Sequence, residues 1–534
     1  MSAGKRTHIV IVGAGVTGLT CAFDLIESEA FKSGVLKVTV LEGSGRAGGI
    51  IETTAEQGAL IESGPDSFIT TRPYMRNLAE RLGLSDRIIP TNVEGRGAMV
   101  VSGGKLVKLP EGFAMLAPGK ILPFLESPII SLAGKLRVLS EPFLPVRAST
   151  EDESLADFVR RRFGAELLEK IAQPMVGGIY VGDAEKLSAA MAAERFVELE
   201  QNAGSVIGGL LSQARQQAQD QAQAHSKISS DDGGDPVASQ PGVNASASAG
   251  VRYGMFCSFD GGMGILVEAL VARLRSASAT GNLDFRLSAP VAEITRAEDK
   301  GGQSYSIQLA DQVLSADHVV LAVPAGRAAA ILSSSSSSSS SSRLNELAAE
   351  LAKIEAASSL VVNFLVNKSD IALEVAGKLD AFGVVIPEVE MHRCKLNSIA
   401  VAFASKKFKG RAPGDKLILR VFLGGVKQPE ILARPDAELI DMALADLVKL
   451  VGLDQSARPL YARVCRWPQS MPQYYVGHKK LLARIDSLAS GIDGLHLAGA
   501  SYRGVGLPEC VHSGDVCADK ILGHLAKLQS VSVN

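Results

Sequence analysis

The first forty residues constrain the fold more than any other stretch. "THIVIV" (7–12) is a short, apolar, β-branched run, the pattern of a buried parallel strand. "VGAGVTG" follows, and Leu19, Ala22, Phe23 and Ile26 then recur at helical spacing before a second strand, "LKVTVL" (36–41). Strand, glycine turn, helix and strand in that order predict a βαβ unit and an α/β protein. A lone GxGxxG carries little; in this context it predicts a dinucleotide site. Gly13 permits the tight turn, Gly15 lets backbone approach a pyrophosphate, and Gly18 packs helix on strand. Ala14, Val16 and Thr17 complete the turn, and the free N–H groups of the helix favour the phosphates' negative charge.

Glu42 ends the second strand, where its carboxylate can accept both hydroxyls of a ribose. It lies farther from the glycines than the usual spacing of about 20 residues. The polar stretch "ESEAFKSG" (27–34) reads as an insertion that accounts for the difference. A nicotinamide site is complete with glycines and acid. Here Gly43 and "GRAGGI" follow at once, bringing Arg46, Gly49 and Ile50 toward the same pyrophosphate. That suits a longer cofactor running deep into the protein and points to FAD. Near the other end, "HLAGA" reads as a strand and "SYRGVGLPEC" as a turn entering a helix. Its backbone N–H groups would stabilise charge on a reduced isoalloxazine, with Val505, Gly506 and Leu507 against the ring. No second strand–GxGxxG–helix unit occurs, so electrons are expected to come from the substrate and leave to O2 or a carrier.

The 534 residues carry a formal charge of −2, which gives no global basic field for nucleic acid. Six scattered cysteines without a CxxC pair read as reduced thiols, and no metal site is expected. The first strand begins by Thr7, leaving no room for a leader, so a cytoplasmic location is expected. No uncharged apolar run is long enough to span a membrane. The greasy segment 112–136 is interrupted by Lys120, Glu126, Lys135 and three prolines, which fits a surface that rests on a bilayer or holds an apolar substrate.

These features predict a discontinuous organisation. Residues 1–92 form the FAD-binding core and the start of a substrate domain, and 93–212 a helix-rich domain in which Ser154 is a helix N-cap. Residues 213–250, rich in Gln, Ala, Ser, Gly and Asp, read as a disordered linker. Residues 251–332 return to the FAD domain, 333–342 are a serine loop, 343–488 a mixed-sheet substrate domain, and 489–534 the closing FAD segment.

The motifs together resemble the flavin amine oxidase superfamily, and within it the oxygen-dependent porphyrinogen oxidases of haem synthesis. The resemblance rests on "VGAGVTGL", "GRAGGIIET", "IESGPDSF", "GGIYVGDAEKLS", "DGGMGILVEAL", "ADHVVLAVPA", "WPQSMPQYYVGH" and "LAGASYRGVGLPEC", and spans nearly the whole chain. It implies a Rossmann-like FAD domain, with Gly64 and Pro65 near the cofactor, the Val291 backbone reading adenine, and Ala500 with Val505–Leu507 in the turn that contacts the isoalloxazine. It implies that Gly178 lies along a tetrapyrrole and that Phe408 stacks on a pyrrole. A plain turn glycine and a core aromatic are the alternatives for these two. Some relatives anchor a propionate with an arginine at the place of Ala98; here Arg96, Lys105 and Lys108 are the nearby cations.

The implied reaction is the six-electron oxidation of a porphyrinogen to a porphyrin, with three O2 consumed and three H2O2 released. It needs close contact of a meso carbon with the flavin and exclusion of water rather than a named acid or base. His478 and Glu509 are candidates for that role by position only, and a structural role is the favoured alternative for each. Coproporphyrinogen III is favoured over protoporphyrinogen IX, with hand-over of product to a ferrochelatase; oligomeric state is left open. The rivals are a flavin amine oxidase, for which 5% aromatic residues are poor material for an amine cage, and a non-enzymatic flavoprotein.

Overall fold

The computed structural model describes residues 6–95, 97–228, 256–299, 302–333, 339–372, 375 and 379–532. The chain divides into two compact units: residues 1–89, 257–359 and 465–534, and residues 90–256 and 360–464. Each is assembled from distant segments. The return to the first unit comes at Cys465, where the sequence reading set it at 489.

The first unit is built on five parallel strands in the spatial order Leu283–Arg286, Leu36–Leu41, Thr7–Val12, His318–Leu321 and Leu495–Leu497. Alternation along Thr7–Val12 sorts the two faces. Ile9 and Ile11 pack with the helices Val16–Glu27, Gly264–Ser278 and Leu507–Ser532. Val10 and Val12 pack with helix Ala325–Leu332 and an antiparallel sheet of Glu293–Asp299, Gly302–Gln308 and Val313–Ala316. Burial on both faces explains why the strands read as unbroken apolar runs. Strand order reverses beside Thr7–Val12, which opens a crevice at the carboxyl ends of the strands. The insertion before Glu42 is a short helix, Glu29–Lys32, whose N-cap Ser28 accepts from the Phe31 N–H.

The second unit holds a seven-stranded mixed sheet in the order Tyr461–Pro472, Ala356–Asn367, Lys416–Gly424, Ala400–Phe403, Gly383–Val385, Met99–Ser102 and Lys105–Lys108. The first two of these strands also carry the chain across the unit boundary. Helix Asp436–Val451 buries Leu439, Ala443 and Leu447 in this unit's core. In the helix-rich part, Ser154 caps helix Leu155–Phe163 by accepting from the Asp157 N–H at 3.0 Å. Arg162 and Glu141 are fully buried there as an ion pair, and Glu141 also accepts from the N–H groups of Val206 and Ile207.

Two low-complexity expectations change. Residues 213–228, read as linker, continue the helix Val206–Ile228; the remainder, 229–250, lies outside the described residues. Val206, Ile207 and Leu210 anchor the helix, and Gln, Ala and Arg then propagate it by intrinsic propensity. Likewise Ser339–Ser342 open the helix Ser339–Leu351, drawn in by the buried Leu344, Leu347 and Leu351, while 334–338 lie outside the described residues.

Candidate functional site

The glycines of the first turn have three separate jobs. Gly13 sits at φ 104°, and a Cβ there would meet the Ala322 carbonyl oxygen at 2.5 Å. A Cβ at Gly18 would stand 2.0 Å from the Gly13 oxygen, so helix and turn can meet only at glycine. Gly15, the N-cap of the helix, has no side-chain cap, and a Cβ there would meet nothing within 4 Å. It is a bare backbone position facing open space at a helix N-terminus, the cradle that a pyrophosphate needs. Val16 and Thr17 form the first helical turn, but the Thr17 hydroxyl is committed to the Cys510 carbonyl at 3.0 Å.

Several expected residues converge here. Glu42 accepts from the Ala14 N–H at 2.9 Å and from the N–H and hydroxyl of Ser44, both at 2.8 Å. Each carboxylate oxygen keeps acceptor capacity for a ribose. Gly43 lies against Pro290, and the N–H groups of Ser288 and Ala289 donate to the carbonyls of Ser44 and Glu42. This brings the Val291 segment beside the acid. Val291 is buried, and its carbonyl already accepts from Arg327 at 2.9 Å.

Arg46 has a role that spacing did not reveal. Its guanidinium donates to the carbonyls of Ala47, Gly49 and Ile51 and lies 3.7 Å from a Glu52 oxygen. It therefore ties its own loop into shape. That loop docks on the glycine turn: the Gly48 N–H donates to the Ala14 carbonyl at 2.8 Å, and a Cβ on Gly49 would lie 3.3 Å from Gly15 Cα. Gly64 is required because a Cβ there would stand 1.8 Å from the oxygen of Ile50; Pro65 follows it in a half-buried position. Glu62 of the same motif is an anchor, accepting from Thr53 at 2.6 Å and from the Met263 N–H at 2.8 Å.

The C-terminal turn joins this site. The Ala498 N–H donates to Leu321, and the Gly499 N–H to Ser513 at 2.9 Å. Ala500 sits in the turn, Val505 and Gly506 precede the closing helix, and Leu507 begins it. Glu509 folds back against Gly504 and Gly506, where Cβ atoms would meet it at 2.5 and 2.3 Å, and its Oε2 is buried without a hydrogen-bond partner. Burial pushes the Cys510 thiol up to about 12 and holds the Tyr502 hydroxyl well above its ordinary range, so neither supplies an anion at neutral pH. The bare cradle, the uncapped helix and the orphaned carboxylate oxygen all fit FAD. Gly13–Gly18, Glu42, Arg46, Gly48–Ile50 and the 498–507 turn are the residues that would hold it.

The expected substrate residues lie in the second unit. Gly178 is exposed on helix Gln173–Tyr180; a Cβ there would rest 3.5 Å from Val385, and one at the neighbouring Gly177 would meet nothing within 4 Å. Phe408 is 1% exposed, with Lys407 and Arg411 over its ring at 5.3 and 5.4 Å. Its enclosure is the environment of a core aromatic. Lys108 pairs with Asp380 at 3.1 Å, Lys105 is exposed at a hairpin turn, and Arg96 lies outside the described residues. Sequence reasoning assigned no role to Trp467 or Tyr474, although both stand in a quoted motif. Trp467 donates to the Ser63 carbonyl at 2.8 Å, and Tyr474 donates to the Ala500 carbonyl.

Residues 16–522 match the family described as flavin containing amine oxidoreductase. The chain is 30% identical to the coproporphyrinogen III oxidase of Bacillus subtilis (strain 168), over 98% of this chain and 100% of that protein. It is 32% identical to protoporphyrinogen oxidase 1, chloroplastic, of Arabidopsis thaliana, over 95% of this chain and 86% of that one. Among solved structures it is similar to a protein of Exiguobacterium sp. 255-15, described provisionally as a protoporphyrinogen oxidase. The TM-score is 0.75 and the identity 25%, covering 97% of this chain and 99% of that one.

Proposed function

The chain belongs to the flavin-containing amine oxidoreductases, and from that premise we propose that it oxidises coproporphyrinogen III to coproporphyrin III with O2. It is an FAD-dependent oxidoreductase of the porphyrinogen-oxidising branch that serves haem biosynthesis. The observation that carries the choice of substrate is the end-to-end likeness to the B. subtilis coproporphyrinogen III oxidase, which the chain covers over that protein's full length. A second bacterial relative of the same name, from Propionibacterium freudenreichii, is 31% identical over 97% of the chain. Protoporphyrinogen IX is the second reading, favoured by the plant relative at 32% identity.

FAD, when bound, would supply the hydride acceptor for a meso carbon, with O2 as the final electron acceptor. The protein's part is to hold and to position. Gly15 and the helix behind it would receive the pyrophosphate, Glu42 would take the ribose hydroxyls, and the 498–507 turn would present backbone to the ring. The cation left by hydride loss is stabilised by the flanking pyrroles and then loses an N–H proton, so the chain need not supply a strong base. Gly177 and Gly178 offer a flat backbone face for a macrocycle, and Lys105 is an exposed cation available to substrate carboxylates, whereas Lys108 already pairs with Asp380.

No helix among the described residues is long and apolar enough to cross a membrane. Leu122, Leu132, Leu136 and Phe143 are exposed, Phe143 at 88%, which supports peripheral contact with a lipid surface. Steady-state assays with each porphyrinogen test the substrate choice. A kcat/KM at least about tenfold higher for coproporphyrinogen III is expected, a difference of about 1.4 kcal/mol between the two transition states. A preference for protoporphyrinogen IX would reverse the assignment.

A further inference from the structure

The segment "MPQYYVGH" (471–478) carries no ligand-binding role in the site as described, yet it reaches the turn that does. Strand Leu495–Leu497 is only three residues long, so ladder hydrogen bonds end just before the turn. Beyond it, four bonds fix four consecutive residues. The Gly499 N–H donates to Ser513, the Ala500 carbonyl accepts from the Tyr474 hydroxyl, Ser501 Oγ accepts from the Ala325 N–H at 3.0 Å, and His478 Nε2 lies 3.3 Å from the Tyr502 carbonyl. The two carbonyl partners come from the 474–478 segment and support each other, since the Tyr474 and His478 rings stack at 4.3 Å and 22°.

The sequence spacing explains how one segment supplies both. His478 donates its N–H to the Tyr475 carbonyl at 2.9 Å, closing a tight turn, and Gly477 at φ 90° starts the helix His478–Ser490. That conformation favours glycine even though a Cβ there would touch nothing within 4 Å. It folds the His478 ring back over Tyr474. A carbonyl can only accept, so Nε2 must carry the proton in this contact and is a donor, not a base. His478 is 4% exposed and Tyr474 likewise, which holds both rings in one arrangement.

We infer that Tyr474 and His478 are positioning residues, a two-ring clamp that fixes the carbonyls of Ala500 and Tyr502 and thereby the distance of the 499–507 turn from the isoalloxazine. The inference rests on the reading that this turn lines the flavin. Neither side chain takes part in the chemistry; each acts through backbone.

The FAD-loaded full-length enzyme tests this with paired variants. Tyr474→Phe keeps the ring stack and removes one hydrogen bond; His478→Gln keeps an N–H donor and His478→Leu does not. Flavin spectrum and midpoint potential are read first, then kcat and KM. The clamp predicts that Y474F and H478L shift the flavin potential and lower kcat about tenfold with KM unchanged, and that H478Q recovers most of the loss. Ala500→Leu, which adds bulk to the turn itself, is expected to perturb the flavin spectrum. An unperturbed spectrum in A500L would remove the turn from the flavin and overturn the reading beneath the inference. A perturbed A500L together with wild-type potential and kcat in Y474F and H478L would overturn the clamp alone. Should H478L not fold, the comparison of Y474F with wild type decides it.

Discussion

The guanidinium of Arg46 lies 6.0 Å from the ring centre of Trp467, whose indole N–H holds the Ser63 carbonyl at 2.8 Å. The pair joins the cofactor loop to a strand more than four hundred residues further along the chain. The contact is within cation–π range.

Because Trp467 is the sole tryptophan, its emission reports on this loop. Titrating FAD into the apoprotein should quench or shift that emission in step with uptake of yellow colour. Arg46→Ala releases three loop carbonyls and is expected to weaken FAD binding by about ten- to a hundredfold, or about 1.4–2.8 kcal/mol. Unchanged affinity in R46A would mean that the loop is shaped without it.

Gly15 and Gly18 should fail differently when a methyl group is added. Gly15→Ala meets open space, so the apoprotein is expected to fold with wild-type thermal stability and to lose FAD affinity. Gly18→Ala sets a Cβ 2.0 Å from the Gly13 oxygen and should destabilise the apoprotein itself. Thermal melts without FAD, followed by FAD titration, separate the two. A stable G15A protein that binds FAD normally would displace the pyrophosphate from this cradle.

Acid sensitivity is expected from the histidines on the strands His318–Leu321 and Leu495–Leu497. Burial first, then His318, Lys520 and His524, hold the His496 imidazole down to about 4, and His318 is lowered by burial as well. The folded state therefore prefers neutral His496, and the unfolded chain binds the extra proton. Stability should fall as pH drops from about 6.5 through 4, by about 3 kcal/mol from His496 once both forms are protonated. His496→Gln should flatten that limb in chemical unfolding at stepped pH. An acid limb identical to wild type would assign the loss elsewhere.

Asp515 predicts the opposite slope. Burial, followed by neighbouring Asp24, pushes its carboxyl up to about 8, while Arg81 opposes the shift. With the folded value above the unfolded one, stability is lost as pH rises from about 4 to 8. Asp515→Asn should raise the melting temperature at pH 8 and leave it unchanged near pH 4. Solvent screening makes the gain modest. A variant less stable at pH 8 would show the charged form to be favoured there.

What the sequence made legible was local. The glycine turn, Glu42 and the strands announce themselves because alternation, helical spacing and positive φ leave marks within a few residues. Arg46 was noticed for its charge, but its hydrogen bonds to its own loop carbonyls follow from a backbone path that composition does not encode. The Gln-rich stretch was read as linker because it lacks apolar residues, whereas three anchors upstream suffice to start the helix Val206–Ile228. Phe408 left a stacking surface and a core aromatic both open, because its burial depends on packing that the neighbouring residues do not encode. Trp467 with Ser63 and Tyr474 with Ala500 are partners brought together only by the tertiary fold. No pattern along the chain pairs a donor with a carbonyl so distant.

The central claim is that bound FAD takes electrons directly from a porphyrinogen, and anaerobic mixing of the holoenzyme with coproporphyrinogen III tests it most directly. The flavin's visible band should bleach on mixing, and admitting air should restore it while the fluorescent porphyrin and H2O2 accumulate. A band that stays unbleached under coproporphyrinogen III and protoporphyrinogen IX alike would contradict the account.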